Sequence, residues 1–169
     1  MILDIKKFPN PVLRLKAVEV TNIDESILTL MNNMVETMTH APGVGLAAPQ
    51  VGVSQRIIVV DLAANQQEAD IQKFINPQII EFEGNESGEE GCLSLPGEFA
   101  LVKRASKILL KALNDKGNEL KLELEGLPAR IVQHEIDHLD GILFVDRLSI
   151  FKREAIKKHI KKRFAAGEY

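Results

Sequence analysis

The sequence predicts a single α+β domain over residues 1–169, with antiparallel or mixed β-sheets around a central helix and a further helix near each end. Two patterns carry most of this prediction. Apolar residues recur every three or four positions from Ile23 to Met38, which is typical of an amphipathic helix. Ile108–Leu113 and Leu120–Leu124 flank Asn-Asp-Lys-Gly, which indicates a β-hairpin. A second helical pattern follows the hairpin. Sheets that enclose one helix favour an α+β fold over a doubly wound one.

Local signals place the ends of the first elements. Asn22 followed by Glu25 resembles a capping box, so the first helix is expected to begin beside Asn22. A glycine-rich loop follows that helix, and the apolar run from Arg56 to Leu62 predicts a strand. In the second strand of the hairpin, leucines alternate with charged residues, so one face of that strand is expected to be buried.

Length and composition are those of an ordinary globular protein. The 169 residues suffice for one domain with a sizeable core, and 45% of them are hydrophobic and 27% charged. A single cysteine excludes an intramolecular disulfide. The N-terminal residues contain no apolar run of signal-peptide length, and no segment approaches membrane-spanning length. The cytoplasm is therefore the expected compartment, and neither a membrane nor DNA is an expected partner.

The most informative segment is Gln133–His138, which contains the pattern HExxH. Residues four apart lie about one turn apart on a helix, so His134 and His138 can present two imidazoles to one divalent metal, with Glu135 beside them. In metal-dependent hydrolysis the metal lowers the pKa of a bound water and the carboxylate moves its proton. The alternative interpretation is a surface helix that carries two histidines by chance.

The flanking residues indicate a buried helix rather than a surface one. Pro128 suits a first helical turn, and Gly141 suits a left-handed C-terminal cap. Leu127 and Ile131 share a stripe with the two histidines at spacings of four, three and four, so the histidines are expected to face inward. The ring nitrogens of two buried histidines need hydrogen-bond or metal partners, and one metal ion could bind both rings.

A catalytic metal site of this kind needs a third protein ligand and an open position for water. The longer pattern HExxHxxGxxH fails here because Phe144 occupies the position of its third histidine. Glu154 is the nearest downstream glutamate, but it lies in a lysine-rich run that is expected to be solvated. Cys92 is the better candidate, because its thiolate would complete a Cys-His-His set. The commoner role of a lone cysteine is that of a small buried apolar residue.

The loop Gly43–Gln50 matches one form of the dinucleotide-binding fingerprint. That fingerprint must follow a strand and open a helix, whereas here a helix precedes the loop and a strand follows it. Nucleotide binding is therefore not expected, and two interpretations remain open. The small residues could let a substrate backbone lie against the loop while Gln50 donates an N–H to a carbonyl oxygen. Equally, the loop could be a tight helix-to-strand turn with a surface glutamine.

Together, the motifs resemble one family, peptide deformylase. Its GxGLAAxQ loop, EGCLS segment and QHExDHL helix are matched, in the family's order, by Gly43–Gln50, Glu90–Ser94 and Gln133–Leu139. The resemblance extends through Arg56–Asp61 and Gly141–Asp146, and so covers nearly the whole chain. It implies hydrolysis of the N-formyl group from the N-terminal formylmethionine of nascent polypeptides, with release of formate.

The resemblance also implies which residues act. The metal is typically Fe(II), readily replaced by Zn, Ni or Co, and its three ligands correspond to Cys92, His134 and His138. Glu135 matches the carboxylate that serves as base towards a water activated by the metal. Gln50 and the backbone N–H of Leu93 match the pair that polarises the formyl oxygen. The remaining matches are substrate-binding positions: Gly43, Val44, Gly45, Leu127 and Ile131.

Residues 152–169 are expected to form a basic C-terminal helix or tail. Seven of the 21 lysines and arginines lie between Lys152 and Arg163, although the formal net charge of the chain is −3. Two interpretations of this basic run are about equally favoured. It could be a solvated helix face, or it could dock on ribosomal RNA, which the resemblance implies for bacterial members. Two other functions also stay open: another metal-dependent N-acyl amidase or peptidase, and a non-catalytic ribosome-binding metalloprotein.

Overall fold

Three helices and seven strands follow one another along the chain, which a computed structural model describes from residue 1 to residue 169. The helices are α1 (Glu25–His40), α2 (Leu127–Leu139) and α3 (Ile150–Ala165). The strands are β1 (Gly45–Ala47), β2 (Ile57–Asp61), β3 (Ile71–Glu83), β4 (Glu86–Cys92), β5 (Leu95–Arg104), β6 (Lys107–Leu113) and β7 (Glu119–Glu125). Short 3-10 helices cover Pro11–Arg14, Ala48–Val51 and Phe144–Arg147. No helix combines the length and the apolar character that crossing a membrane requires.

The strands form two antiparallel sheets. The larger sheet has five strands in the order β1-β2-β3-β6-β7, and the smaller one consists of β4 and β5. The predicted hairpin is confirmed as β6 and β7, in which Leu110 lies opposite Leu122. Because every pairing between these strands is antiparallel and no helix connects parallel neighbours, the predicted α+β class is confirmed.

At its β1–β2 end, the five-stranded sheet packs between α1 and α2 and is apolar on both faces. From β2, Ile57 and Val59 pack in the same cluster as α1, whereas Ile58 and Val60 pack with α2. A strand that is buried on both faces reads as a continuous apolar run, which explains the sequence of β2. The residues of α2 from Ala129 to Leu139 are all buried, so the predicted central helix is confirmed.

The start of α1 differs from the sequence prediction. Asp24, rather than Asn22, is the N-cap, and its side chain accepts a hydrogen bond from the Ile27 N–H at 3.1 Å. The prediction of a capping box was wrong because Glu25 is already the first helical residue, so Asn22 lies too early to reach the unpaired amides. The helical periodicity itself is confirmed by the buried apolar side chains of α1: Ile27, Met31, Met34 and Met38.

Both ends of α2 match the prediction. Pro128 lies in the first turn, and Gly141 follows the helix with a φ of +75°. A Cβ at position 141 would also lie 2.9 Å from the carbonyl carbon of Arg14. The left-handed backbone and the close approach together require glycine here. The chain that leaves α2 therefore packs directly against the N-terminal segment, before the buried Phe144.

Candidate metal centre

Three side chains that are suited to binding a metal converge at one point. The ligand atoms of Cys92, His134 and His138 all lie within 4.8 Å of one another. The Cys92 Sγ is 3.3 Å from His138 Nε2, and the centroids of the two imidazole rings are 5.0 Å apart. The structure thus brings together the three residues that the sequence proposed as ligands.

Helix geometry accounts for the histidines, and an irregular strand end accounts for the cysteine. The register of β4 and β5 shifts between Gly91 and Cys92, so that Cys92 pairs with Leu95 across a very short turn. Two donors face the sulfur: the backbone N–H of Ser94 at 3.4 Å and Gln50 Nε2 at 3.5 Å. The sulfur is therefore held in a fixed position next to His138, and a thiolate is the form of cysteine that ligates metals.

The carboxylate of Glu90 orients one of the two imidazoles. Its Oε1 lies 2.8 Å from His134 Nδ1, which directs the other ring nitrogen, Nε2, towards the cluster. Burial by itself would raise the pKa of Glu90, but hydrogen bonds from Arg104 and His134 outweigh it and hold the pKa well below its usual range. An anionic partner behind a histidine is a common arrangement in metal sites, where it fixes the ring and increases its basicity.

Glu90 also belongs to a buried ionic chain that sequence reasoning missed. Arg104 donates to Glu90 at 2.8 Å and to Asp137 at 2.6 Å, so this guanidinium links β4 to α2. Arg130 adds a 2.7 Å bond to Glu90, and Arg147 binds Asp137 at 2.7 Å. The only sequence signal for this ionic chain was an acidic residue two positions before the candidate cysteine. Its arginine partners follow no regular spacing along the sequence, so no pattern predicted them.

Glu135 lies beside the cluster with a free oxygen. The residue is 4% exposed, and its buried Oε1 has no hydrogen-bond partner. Burial raises the pKa of Glu135 to about 7. A Cβ at position 45 would lie 2.9 Å from Glu135 Cδ, so Gly45 allows the loop to approach this carboxylate. An unpaired buried carboxyl group with a pKa near neutrality is well suited to exchanging protons.

Gln50 is held in one orientation at the edge of the cluster. Its Oε1 accepts from the Ala47 N–H at 2.9 Å, and its Nε2 donates to Ser94 Oγ at 3.1 Å. At 1% exposure it is not a surface residue, so the alternative of a turn with a surface glutamine is wrong. The neighbouring Leu93 N–H donates to no backbone carbonyl of the chain, which leaves it available as a donor to a ligand.

A cavity of about 490 Å³ opens in front of these groups. Val44 and Leu127 are 42% and 38% exposed at its rim, whereas Ile131 is almost fully buried. Leu127 therefore departs from the predicted inward stripe, because it belongs to the first turn of α2 and reaches the cavity mouth. All five predicted substrate positions line the cavity: Gly43, Val44, Gly45, Leu127 and Ile131.

The two rejected ligand positions have other surroundings. Phe144 stacks on His134 with ring centroids 6.2 Å apart, and so closes the cluster on its apolar side. Glu154 lies on α3 with its side chain 62% exposed, and its nearest ionic partner is Arg153. No carboxylate joins the three-ligand cluster. The donor set of one thiol and two imidazoles fits a catalytic divalent metal with one coordination position left open.

Comparison with known proteins is consistent with this site. The family model described as polypeptide deformylase matches residues 2–154. The chain belongs to this family. It is similar to the peptide deformylase of Halothermothrix orenii, with 54% identity over 92% of this chain and 99% of the relative, and to that of Thermodesulfovibrio yellowstonii, with 49% identity over 95% and 97%.

The fold is shared as well. A crystal structure of a peptide deformylase from Legionella pneumophila superposes with a TM-score of 0.90 at 43% identity, covering 99% of this chain and 98% of that one. Members of the polypeptide deformylase family are metal-dependent hydrolases that remove N-formyl groups, so the resemblance drawn from the three motifs is confirmed. A peptidase or a non-catalytic metalloprotein no longer competes as the function of this family member.

Proposed function

We propose that the cavity described above is where this deformylase hydrolyses N-formylmethionyl peptides, and that Cys92, His134 and His138 hold its metal. The observation that carries the proposal is the convergence of these three ligand atoms within 4.8 Å of one another, beside an unpaired buried carboxyl group. Cys92, His134 and Glu135 line the cavity. The family membership supports a divalent metal in general. The assignment of the individual ligands rests on the geometry of this chain.

The bound metal would acidify a water molecule and polarise the carbonyl group. Glu135 is placed to take the proton of that water and deliver it to the leaving amine, since its free Oε1 faces no competing donor. Burial raises its pKa above the usual carboxyl range, which strengthens Glu135 as a proton acceptor. Gln50 Nε2 and the Leu93 N–H lie on the cysteine side, where they can stabilise the oxyanion that develops from the formyl oxygen.

The peptide would lie along the glycine loop. Gly43 and Gly45 present their backbone to the cavity without side chains, which suits pairing with an extended substrate. The methionine side chain is unbranched and flexible, and Val44, Leu127 and Ile131 offer apolar surface at the mouth and wall of the cavity. These five residues supply shape and backbone contacts rather than chemistry.

Fe(II) is the proposed native metal, with Zn, Ni or Co able to substitute. Imidazole and thiolate ligands suit all of these ions, so the donor set supports the group and the choice of iron follows the family resemblance. A thiolate on iron is sensitive to oxidation. Metal analysis of protein that is purified anaerobically tests the choice, because the native ion is then retained.

We further propose that the whole chain is one domain, that it acts in the cytoplasm, and that its basic helix contacts the ribosome. The support is the run of seven cations between Lys152 and Arg163, most of which are exposed on α3. Attraction between such a helix and RNA phosphates weakens steeply with added salt. Salt-dependent co-sedimentation with ribosomes tests this contact, and sedimentation that is unaffected by neutralising the helix would contradict it.

The deciding experiment measures formate release from formyl-Met-Ala-Ser by anaerobic protein, with its metal content determined in parallel. We expect formate without cleavage inside the peptide. Cys92→Ser should weaken metal retention, because an alcohol is a poor replacement for a thiolate ligand. Unchanged metal content of Cys92→Ser after dialysis would remove Cys92 from the ligand set.

A further inference from the structure

The turn that follows Cys92 is held from outside by the C-terminal segment. Tyr169 Oη donates to the carbonyl oxygen of Ser94 at 2.9 Å. Arg163 Nη1 donates to the carbonyl oxygen of Pro96 at 2.6 Å. The Arg163 guanidinium also lies over the Tyr169 ring, 5.2 Å from its centroid, so the two residues support each other. Nothing in the deformylation chemistry requires these contacts.

Ser94 connects these contacts to the metal centre. Its N–H faces the Cys92 sulfur at 3.4 Å, and its Oγ accepts from Gln50 Nε2 at 3.1 Å. Its carbonyl oxygen accepts from the Phe8 N–H at 2.8 Å as well as from Tyr169. One residue therefore orients both a ligand and an oxyanion donor, and its own backbone is fixed by donors from the two ends of the chain.

α3 contacts the same region at two more points. Glu98, which is 6% exposed on β5, forms ion pairs with His159 and with Arg163, the latter at 3.8 Å. Ile160 is fully buried in the cluster that contains Leu95 and Phe144, the residue that stacks on His134. The inner face of α3 thus packs behind the metal centre, whereas its exposed cations point elsewhere.

We propose that Arg163 and Tyr169 are positioning residues for the metal centre: they hold the Ser94–Pro96 backbone so that the Cys92 thiolate is ordered before the metal binds. This inference rests on the proposed ligand role of Cys92. A ligand on a turn that is already ordered loses little conformational freedom on binding, whereas a mobile turn loses more and releases the metal faster. The C-terminal segment then serves the site through its inner face, independently of any contact that its outer face makes.

The test measures transfer of Co(II) from the loaded, full-length protein to a chelator in excess. Tyr169→Phe removes one hydroxyl and leaves the ring. Arg163→Gln removes the guanidinium, and with it the bond to Pro96, the ion pair with Glu98 and the contact with the Tyr169 ring. Tyr169→Phe loses about one hydrogen bond and should release metal about 3- to 10-fold faster than the wild type, and Arg163→Gln should release it at least as fast as Tyr169→Phe. The near-ultraviolet thiolate-to-cobalt absorption should shift in both variants. Arg163→Lys, which keeps a cationic donor, should recover part of the loss.

Lys162→Gln is the matched control, because Lys162 is exposed beside Arg163 and its side chain forms no ion pair within the chain. It should release metal at the wild-type rate; acceleration equal to that of Arg163→Gln would assign the effect to helix charge and overturn the inference. Wild-type rates in both Tyr169→Phe and Arg163→Gln would also overturn it, provided that Cys92→Ser loses metal. Wild-type retention by Cys92→Ser would instead show that the proposed ligand set is wrong.

Discussion

The two halves of the proposed metal centre are built in different ways. The histidines and Glu135 lie on consecutive turns of α2, where helical geometry alone sets their spacing. Cys92 lies at an irregular strand end, and the turn after it is held by Phe8, Gln50 and Tyr169, which come from remote parts of the sequence. A helix can place its half of a site by local structure, whereas a strand end needs tertiary contacts to do so.

One buried network makes the two halves a unit. Glu90 lies on β4 two residues before the cysteine, yet it orients His134 on the helix. Arg104 then connects this carboxylate to Asp137, which lies one residue before the second histidine. Local helix geometry therefore sets the spacing between the two histidines, but it does not set their position relative to Cys92. Substitutions in the helix, in the network and in the loop should separate these contributions.

The largest effect is expected in the helix half. Glu135→Gln removes the proton acceptor but keeps the volume of the side chain, so kcat should fall roughly 10²- to 10⁴-fold while the metal is retained. Steady-state formate release and metal content measure the two quantities. Glu125→Gln, at the exposed end of β7, serves as the control and should keep wild-type turnover. Substantial turnover by Glu135→Gln would refute its role as the base.

The second largest effect is expected from substitutions in the buried ionic network, because this network contacts both halves of the site. Glu90→Gln leaves the buried Arg104 with one carboxylate instead of two, and a broken buried ion pair typically costs about 3–5 kcal/mol of unfolding free energy. Loss of the partner behind His134 should also weaken metal affinity roughly 10- to 100-fold. Urea unfolding and chelator competition measure these effects. The exposed Glu86→Gln should change neither, and an unaltered Glu90→Gln would show that the halves are independent.

A smaller effect is expected where the loop meets the helix. Gly45→Ala places a methyl group against the Glu135 carboxylate, and overpacking of this kind costs about 1–3 kcal/mol. Turnover should fall because the carboxylate must move, whereas metal retention should stay close to that of the wild type. Gly43→Ala is the comparison within the same proposed substrate loop, since its methyl group meets the flexible end of Leu93 and the Met38 carbonyl oxygen but not Glu135. Equal losses in the two variants would argue against a specific contact with Glu135.

The smallest effect concerns the segment that leaves α2. Burial would raise the pKa of Asp146, but hydrogen bonds from Arg14 and the Leu143 N–H outweigh it and lower this pKa. A lowered carboxyl pKa gives stability that is present above the unfolded-state value of about 4 and is lost as the pH falls through the folded-state value.

Asp146→Asn should therefore lower the melting temperature slightly at neutral pH and flatten its acid dependence. The change should stay below about 1 kcal/mol, because the pair is partly exposed and screened by water. Thermal melts at neutral and at acidic pH measure it. Asp4→Asn, whose carboxylate is 83% exposed, should follow the wild-type curve. If the melting temperature of Asp146→Asn falls with acid as steeply as that of the wild type, the Asp146 carboxyl group is not a source of acid sensitivity.

Some of the fold was predictable because its signals are local. The β6–β7 hairpin follows from a turn sequence between alternating leucines, and the ends of α2 follow from Pro128 and Gly141. The small β4–β5 sheet was not predicted. β4 consists of charged residues, glycines, a serine and Cys92, and Glu90 and Arg104 take the place of apolar residues in the buried contacts of the sheet with α2. The N-cap of α1 was misplaced by two residues because Asn22 and Asp24 are both suitable caps.

The sequence by itself determined which side chains could carry the chemistry. A spacing of four places two histidines on one helical face, and the motifs around Cys92 and Gln50 identify the family. Only the tertiary structure decided how these groups meet: the pairing of Glu90 with His134, the ionic chain through Arg104, and the support of the Ser94 turn by Tyr169. The physical reason is that these bonds join residues far apart in sequence, and nothing in the order of the chain sets their distance.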